Sequence, residues 1–396
     1  MILEILFWLL LFLIIYTFFG YPLLLWILVG IKNSTYGKPN IVVSNYEPDV
    51  CLFVTAYNEK DFVAQKVKNS LQLDYPKEKI QYLWITDGSD DGTPELLKEH
   101  MQNEVHHLKE RRGKMHAMNR GMNFVHAPIV VFSDTNTLLN KNAIRAIVAC
   151  FSDPKTGCVA GEKRIFEKNA EVASAAGEGF YWKYESWVKK LDAQLNSAVG
   201  AVGELFAIRH ELFEDVEPDT ILDDFVISLR IAQRGYKIRY SPDAYAEETA
   251  SANVKEELKR KIRIAAGGIQ SLFKLRQLLN PFRYGVLSWQ FFSHKVLRWT
   301  LAPIALFILP FLNGVIFFKE MAADSFTFYS WFFLLQIFGY LLVVVGWLLE
   351  NIQLRMKFLF VPYYFIATNL AAILGMIRYL SGKQSVKWER SKRAVI

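Results

Sequence analysis

The chain has 396 residues and a net charge of +7, from 46 lysines and arginines against 39 acids. Hydrophobic residues make up 52% and charged residues 21%, which excludes a disordered chain. The apolar excess is spread too unevenly for a single soluble globule. Cys51, Cys150 and Cys158 cannot all pair and lack ligand spacing, which excludes a disulfide scaffold and a cysteine-based zinc site. The histidines form no HExxH-type cluster, so no histidine metal site is expected.

From Ile5 to Ile31 no residue is charged. As a helix this run spans ~40 Å, more than the ~30 Å of hydrocarbon in a bilayer. It is too long for a signal peptide, and no alanine before Ala56 offers a small-residue cleavage site. A retained anchor over 1–31 is therefore expected. A domain of ordinary soluble composition follows, assigned to 32–280. Its short apolar runs Val50–Ala56, Gln81–Thr86 and Ile129–Ser133 read as strands buried on both faces. Asp61–Leu71, Thr93–His100 and Gly113–Val125 have helical spacing. This alternation predicts an α/β domain with a doubly wound parallel sheet, in which ligands bind beyond the carboxyl ends of the strands.

The polar residues cluster at those ends: Thr55, Tyr57, Asn58 and Glu59 after the first strand, Asp87 after the second, Asp134 and Asn136 after the run ending at Ser133. Each cluster alone also suits a helix cap or an Asp-Gly turn; their joint placement favours a site. No GxGxxG or GxxxxGK[ST] follows a strand, which argues against dinucleotide enzymes and P-loop ATPases.

Residues 281–298 mix Trp289, Phe291 and Phe292 with His294, Lys295 and Arg298, which predicts an amphipathic helix in the membrane interface, the alternative being a domain helix packed on its own core. Three further uncharged stretches follow, Trp299–Phe318, Ser325–Leu349 and Phe358–Ile377, giving a membrane region over 299–380 of two or three helices. A basic tail occupies 381–396. Lysines and arginines flank the membrane ends of the soluble domain and place it in the cytosol of an integral plasma- or inner-membrane protein. The same rule asks for a cytosolic tail, so Phe358–Ile377 is expected to stop short of a full crossing. Anionic lipid explains the basic residues, and no basic–aromatic stripe suggests a nucleic-acid partner.

In chain order the strings VTAYNE (Val54–Glu59), DGSDDGT (Asp87–Thr93), GKMHAMNRG (Gly113–Gly121), VVFSDTNT (Val130–Thr137), GELFAIR (Gly203–Arg209), LDDF (Leu222–Phe225) and RKIRIAAGGIQ (Arg260–Gln270) cover residues 50–272. With the membrane segments they resemble the membrane-embedded family-2 glycosyltransferases of GT-A fold, the group of cellulose, hyaluronan and poly-N-acetylglucosamine synthases.

That resemblance implies an inverting transfer from a nucleotide-sugar donor, a UDP-sugar by preference, to a membrane-associated polysaccharide or lipid-linked acceptor. It assigns Thr55, Ala56, Tyr57, Glu59, Asp87, Lys114 and Asp134 to the nucleotide. It assigns Asp134 and Asn136 to a Mg²⁺ or Mn²⁺ ion, with Asn136 standing where the family has a second aspartate. Asp224 is the implied base with Asp223 beside it, where like charge raises the pKa. Arg263 is the implied diphosphate contact. Gly203, Glu204 and Phe206 fall on the acceptor side, with Ile264 where processive members carry a tryptophan and Arg260 where they carry a glutamine. Together with few membrane helices, this favours single or short-chain transfer unless a partner subunit supplies an export path. The alternatives are a processive exopolysaccharide synthase extruding its polymer, or a non-catalytic nucleotide-sugar sensor; the sensor is disfavoured by the presence of Asp224 and Arg263.

Overall fold

The computed structural model describes residues 1–37, 46–100, 102–165, 173–249, 254–351 and 357–382. The expected basic tail lies outside the described residues from 383 onward. Among the described residues the central domain holds eight strands: β1 (Val50–Ala56), β2 (Ile80–Asp87), β3 (Asn103–Leu108), β4 (Ile129–Asp134), β5 (Leu138–Leu139), β6 (Thr156–Ile165), β7 (Leu205–Arg209) and β8 (Lys237–Glu248). They form one sheet in the order β3-β2-β1-β4-β7-β6-β8-β5.

The sheet is mixed, which corrects the expectation of a fully parallel one. β3, β2, β1 and β4 run parallel. β7 then enters antiparallel between β4 and β6, while β6 and β8 pair parallel. Two further differences are local: β3 was not anticipated, because its half-buried NEVHHL sequence shows no apolar run, and the helices run Lys60–Leu71, Thr93–Lys98 and Lys114–Met122.

Register explains why the motif loops meet. Thr55 pairs with Ile85 on β2 and with Asp134 on β4, so the carboxyl ends of the parallel strands emerge at one rim. Because β7 is antiparallel, its first residue Leu205 sits opposite Ser133, and the preceding Gly203–Glu204 reaches the same rim. Alternation along β1 divides the core. Cys51 and Phe53 join Met118, Phe132 and Phe206 on one face; Val50, Leu52 and Val54 join Trp84, Val131 and Ile144 on the other. The Lys114–Met122 helix lies tight against the first face, since a Cβ at Gly121 would stand 2.4 Å from the Phe53 ring. That contact fixes the distance of Lys114 from the sheet edge.

Among the described residues four helices are long and apolar enough to cross a membrane: Ile2–Tyr36, Leu301–Ala322, Phe328–Leu349 and Leu359–Leu380. The first contains a π-helical turn at Tyr16–Gly20. The last belongs to the Lys357–Leu380 helix, which lies along the Val254–Lys274 helix. A Cβ at Gly375 would come within 2.5 Å of the Ala265 Cβ, and Tyr379 stacks on Phe273 at 5.8 Å.

Residues 281–298 depart from the single amphipathic helix expected. They form short helical pieces, Pro281–Tyr284, Val286–Phe291 and a π-turn Phe292–Val296. His294 and Lys295 are buried. His294, Lys295 and Arg298 all reach Glu185 on the Ala173–Leu195 helix, at 3.3, 2.7 and 2.8 Å. A basic periodicity reads the same whether its partner is a lipid phosphate or a buried carboxylate, and here these three side chains have carboxylate partners.

Candidate active site

The loops after β1 and β2 are knitted together first. Asn58 adopts a left-handed conformation, φ 52°, in which its side-chain amide donates to Asp90 Oδ1 at 2.9 Å and accepts from the Asp90 N–H at 3.0 Å. Asp91 accepts from the Lys60 N–H at 3.1 Å and from the Thr93 N–H at 3.0 Å, capping two helices at once. The buried Glu59 donates its N–H to Thr93 Oγ1 at 3.0 Å. Asp90 and Asp91 therefore serve the loop, and Asp87 is the acid of this motif left for a ligand.

Asp87 Oδ2 accepts from the Arg112 and Gly113 N–H groups at 3.0 and 2.6 Å. Its other oxygen, Oδ1, is buried without a hydrogen-bond partner among the described residues. Arg120 Nε and His116 Nδ1, both on the Lys114–Met122 helix, are likewise buried and unsatisfied. The Arg111 guanidinium lies 3.8 Å above the Tyr57 ring. An orphaned acceptor, orphaned ring and guanidinium nitrogens and an aromatic plate suit a flat polar ligand. A buried polar atom left unpaired costs roughly 1–3 kcal/mol, which a hydrogen-bonding ligand recovers.

The reacting centre is built around Lys114. Its Nζ stands 3.2 Å from Asp134 Oδ1 at the end of β4 and 3.2 Å from Asp223 Oδ2 at the start of the Asp223–Gln233 helix. Thr55, Lys114, Asp134, Gly203, Phe206 and Asp223 line a common pocket. Burial disfavours the Lys114 charge, but Asp134, Asp223 and Asp224 outweigh it and hold the ammonium well above its ordinary range. Asp224 is pushed up from 3.8 to about 7, first by burial and then by Asp223, against the opposing pull of Lys114. The direction is the one expected from like charge, though burial is the larger cause. Gly203 lets the chain run beside this carboxyl: a Cβ there would lie 3.7 Å from Asp224 Cγ.

Behind the Asp134 loop sits Lys66, fully buried, donating to Ser133 Oγ at 2.7 Å and to the Thr137 carbonyl at 2.8 Å. Thr135 Oγ1 donates to the Thr55 carbonyl at 2.9 Å. The loop is thus pinned from two sides, and sequence reading missed Lys66 because it looks like one more lysine on a helix. Lys163 on β6 was missed because a lysine on a strand is ordinarily read as facing solvent. It is buried, 2.6 Å from Glu204 Oε1 and paired also with Glu248. Burial opposes the Glu204 charge, but the Lys163 ammonium overcomes it and brings the carboxyl down to about 2.

The expected site residues divide accordingly. Thr55, Lys114, Asp134, Gly203 and Asp223 converge, with Asp224 adjacent; Tyr57, Glu59 and Asp87 belong to the neighbouring loops, and Ala56 is buried at the strand end. Glu204 is held by Lys163, so its carboxylate supports the rim. Phe206 is fully buried, stacked on Phe132 at 4.7 Å, and forms the pocket floor. Arg263 and Ile264 are half-buried on the Val254–Lys274 helix. Arg263 lies one turn before Gly267, whose Cβ position is closed by Ile221 and Leu222, directly before the Asp223–Asp224 pair. Ile264 lies one turn before Gly268, which abuts the Trp299 ring.

Among the described residues no three His, Cys, Asp or Glu side chains group as a metal cage. Asp134 nevertheless fits a cation. It is surrounded by Glu204, Asp223 and Glu248, which with burial raise its pKa against the pull of Lys114. Asn136 Nδ2 is 3.4 Å from Glu248 Oε1, leaving its carbonyl oxygen as the hard donor, a type that suits Mg²⁺ or Mn²⁺.

A mixed sheet whose parallel strands end in acid-bearing loops, with an antiparallel strand bringing further acids to the same rim, is the arrangement of a GT-A-type domain. The chain belongs to the glycosyltransferase like family 2, which it matches over residues 48–267. It is 30% identical over 254 residues to the poly-beta-1,6-N-acetyl-D-glucosamine synthase of Staphylococcus aureus, an alignment covering 62% of this chain. The Staphylococcus epidermidis enzyme of the same name is 26% identical over 256 residues, covering 62% of this chain and 61% of that protein. The chain spans 60% of the length of the Staphylococcus aureus relative. A mannosyltransferase from Pyrobaculum calidifontis, solved with GDP-Man and Mn²⁺, superposes with a TM-score of 0.71 at 22% identity, over 96% of this chain and 100% of that one. At that identity the likeness establishes a shared fold.

Proposed function

We propose that this chain is an inverting transferase that moves a sugar from a nucleoside diphosphate donor to an acceptor hydroxyl at the cytosolic face of a membrane. The observation that carries the reading is Lys114, whose ammonium joins the acid ending β4 to the acid opening the base-bearing helix at 3.2 Å each. One cation thereby sets the donor end and the base end of the pocket side by side.

In this reading Asp224, with a pKa raised to about 7, takes the proton of the acceptor hydroxyl as the new glycosidic bond forms and the bond to diphosphate breaks. Burial and the Asp223 neighbour make it a stronger base than an exposed aspartate; the Phe225 N–H holds its ionised form in place. Asp134 and the Asn136 carbonyl would hold a divalent ion, which neutralises charge on the departing diphosphate when bound. Arg263 is assigned to the diphosphate as fixed positive charge.

The base pocket favours uracil. Asp87 has one orphaned oxygen because the other is taken by two backbone N–H groups. A single acceptor matches the one ring N–H of uracil better than the paired N–H donors of guanine, and Arg120 and His116 supply unsatisfied nitrogens for the uracil carbonyls. Ile264, where a stacking tryptophan would serve a growing polymer, favours transfer of one or a few sugars; an export partner would belong to the processive alternative.

The test is nucleotide release by the purified protein over a panel of UDP-sugars and GDP-mannose, with Mg²⁺ or Mn²⁺, beside Asp224→Asn. Release with one donor, lost in the variant while nucleotide binding persists, is expected. Turnover retained by Asp224→Asn would remove the assigned base.

A further inference from the structure

The Lys357–Leu380 helix is apolar enough to cross a membrane, yet its contacts run along the domain. The Tyr364 hydroxyl donates to the buried Glu257 carboxylate at 3.3 Å, Gly375 meets Ala265 and Ala266, and Tyr379 stacks on Phe273 at 5.8 Å. The partners advance in step, so this helix and the Val254–Lys274 helix run parallel and side by side over Tyr364–Tyr379, about 22 Å. The companion does not belong in hydrocarbon. Seven of the nine residues from Lys255 to Arg263 are charged, and charge at bilayer depth is strongly disfavoured.

Both ends of the pair stand at one depth. Near its start the helix sets Phe365 against Phe18 of the first membrane helix at 4.9 Å, and the Phe18 carbonyl accepts from the Tyr184 hydroxyl of the domain at 2.7 Å. Near its end, Gly268 of the companion abuts the Trp299 ring. Lys295 Nζ lies 5.6 Å over that ring and 2.7 Å from Glu185. Tyr184 and Glu185 are neighbours on the Ala173–Leu195 helix, so both ends refer to the same turn of the domain. A crossing helix would instead climb most of the ~30 Å of hydrocarbon between them. The other three candidates do climb: Phe7, about 16 Å along the first helix from Phe18, packs with Leu309, Ile316, Tyr329 and Phe332.

We propose that the Lys357–Leu380 helix lies in the head-group interface on the domain's side of the membrane, with lipid as its second partner. Tyr364, Ala371 and Ala372 are buried against protein, while Leu370, Leu374, Ile377 and Leu380 are exposed at steps of four, three and three, a single helical stripe. Phe273, exposed beside Tyr379, extends that apolar surface, and Arg378 in the last turn suits a lipid phosphate. The stripe is continuous with the membrane helices, since Gly346 closes on the Leu359 carbonyl and Tyr363, so the lipid around them also meets the stripe. The chain then crosses the bilayer three times, and Ser381 emerges on the domain's side. The lysines and arginines of the sequence beyond Gly382 favour the same side, the one that holds the domain's own basic flanks. The helix that carries Arg263 thereby stands about 10 Å, one helix diameter, from lipid.

The experiment uses the full chain in sealed membrane vesicles with the domain outward. Cys51, Cys150 and Cys158 are buried, so one cysteine added at an exposed position reports the side it faces. An impermeant maleimide is expected to label Lys98→Cys in the domain and Ser381→Cys alike. Labelling of Ala323→Cys, in the turn between the second and third membrane helices, should be lost until the vesicles are opened. Ser381→Cys protected in the manner of Ala323→Cys would mean a full crossing and overturns the proposal. A nitroxide on Leu374→Cys then reads depth, from its relative exposure to oxygen and to a water-soluble nickel complex. A depth at the head-group boundary is expected, shallower than the same label on Phe338→Cys within a crossing helix. A reading as deep as that of Phe338→Cys overturns the interfacial placement, and a fully aqueous reading overturns the lipid contact.

Discussion

Asp224 should make the folded protein less stable as pH rises, and replacing it should reveal by how much. Its carboxyl stands at about 7 in the folded chain against 3.8 ordinarily. The folded state therefore holds a proton that the unfolded state releases, so the contribution of Asp224 to stability is greatest below pH 4 and is lost as pH rises through 7. A displacement of that size corresponds to ~4 kcal/mol once the group is ionised in both states. Asparagine has the same shape and does not titrate. Relative to the native protein, Asp224→Asn should gain up to ~4 kcal/mol between pH 4 and pH 8, which for a domain of this size is a melting-temperature gain of roughly 8–16 °C. Thermal unfolding followed by tryptophan fluorescence in detergent, at several pH values, measures it directly. A gap between variant and native protein that stays constant across that range would mean Asp224 is ionised normally, and the argument for its basicity would fail. The same displacement sets the rate profile, in which kcat rises with pH to a plateau above about 7, because only the ionised base accepts the proton.

Lys114→Met strands two buried carboxylates, at Asp134 and Asp223, and breaking such a pair costs about 3–5 kcal/mol; melting at pH 8 should drop and UDP affinity fall, and a variant unchanged in both would contradict the bridging role. Lys66→Met takes the lysine donor from the Thr137 carbonyl, about 1–3 kcal/mol if that group is left unsatisfied, while Ser133 Oγ keeps Thr137 Oγ1 and the Glu204 carbonyl. The Asp134 loop should loosen, and a Mn²⁺ titration of nucleotide binding should shift to higher metal concentration; an identical titration curve would show that the loop does not need the lysine. Gly375→Val places a side chain where 2.5 Å separates it from Ala265. Overpacking of about 1–3 kcal/mol should push the last helix off the Val254–Lys274 helix and lower turnover with UDP binding intact; native turnover would show that this contact is not transmitted to the site.

The parallel half of the sheet was legible because each strand is a short apolar run that stops at a polar cluster, and β1 falls on the expected residues. The half beyond β4 was not. β6 and β8 alternate and carry charges such as Lys163 and Glu248, whose burial depends on each other and on no local pattern. The acids show the same divide. Asp87, Asp134 and Asp224 stand at strand or helix ends where sequence signals them, whereas Asp90 and Asp91 look equally functional in the string and turn out to cap loops. Lys66 carried no signal at all, since a lysine on a helix is ordinarily solvated and only tertiary packing removes its water. The segment 281–298 failed for a related reason: its periodicity is that of an amphipathic helix, but the acidic partners of its basic residues, Glu185 and Asp192, lie about a hundred residues earlier in the chain.

Those partners also explain why the junction is ionic. Asp192 is met by the Tyr21 hydroxyl from the first membrane helix, by Gln290 Nε2 at 2.9 Å and by His294 Nδ1 at 2.6 Å from the segment leading to the second. An apolar junction of equal area would be as stable or more so, because burying charges returns little net energy. It would also slide, since apolar contact is non-directional. Directed bonds to two carboxylates seven residues apart on one helix fix both membrane segments in a single register against the Ala173–Leu195 helix.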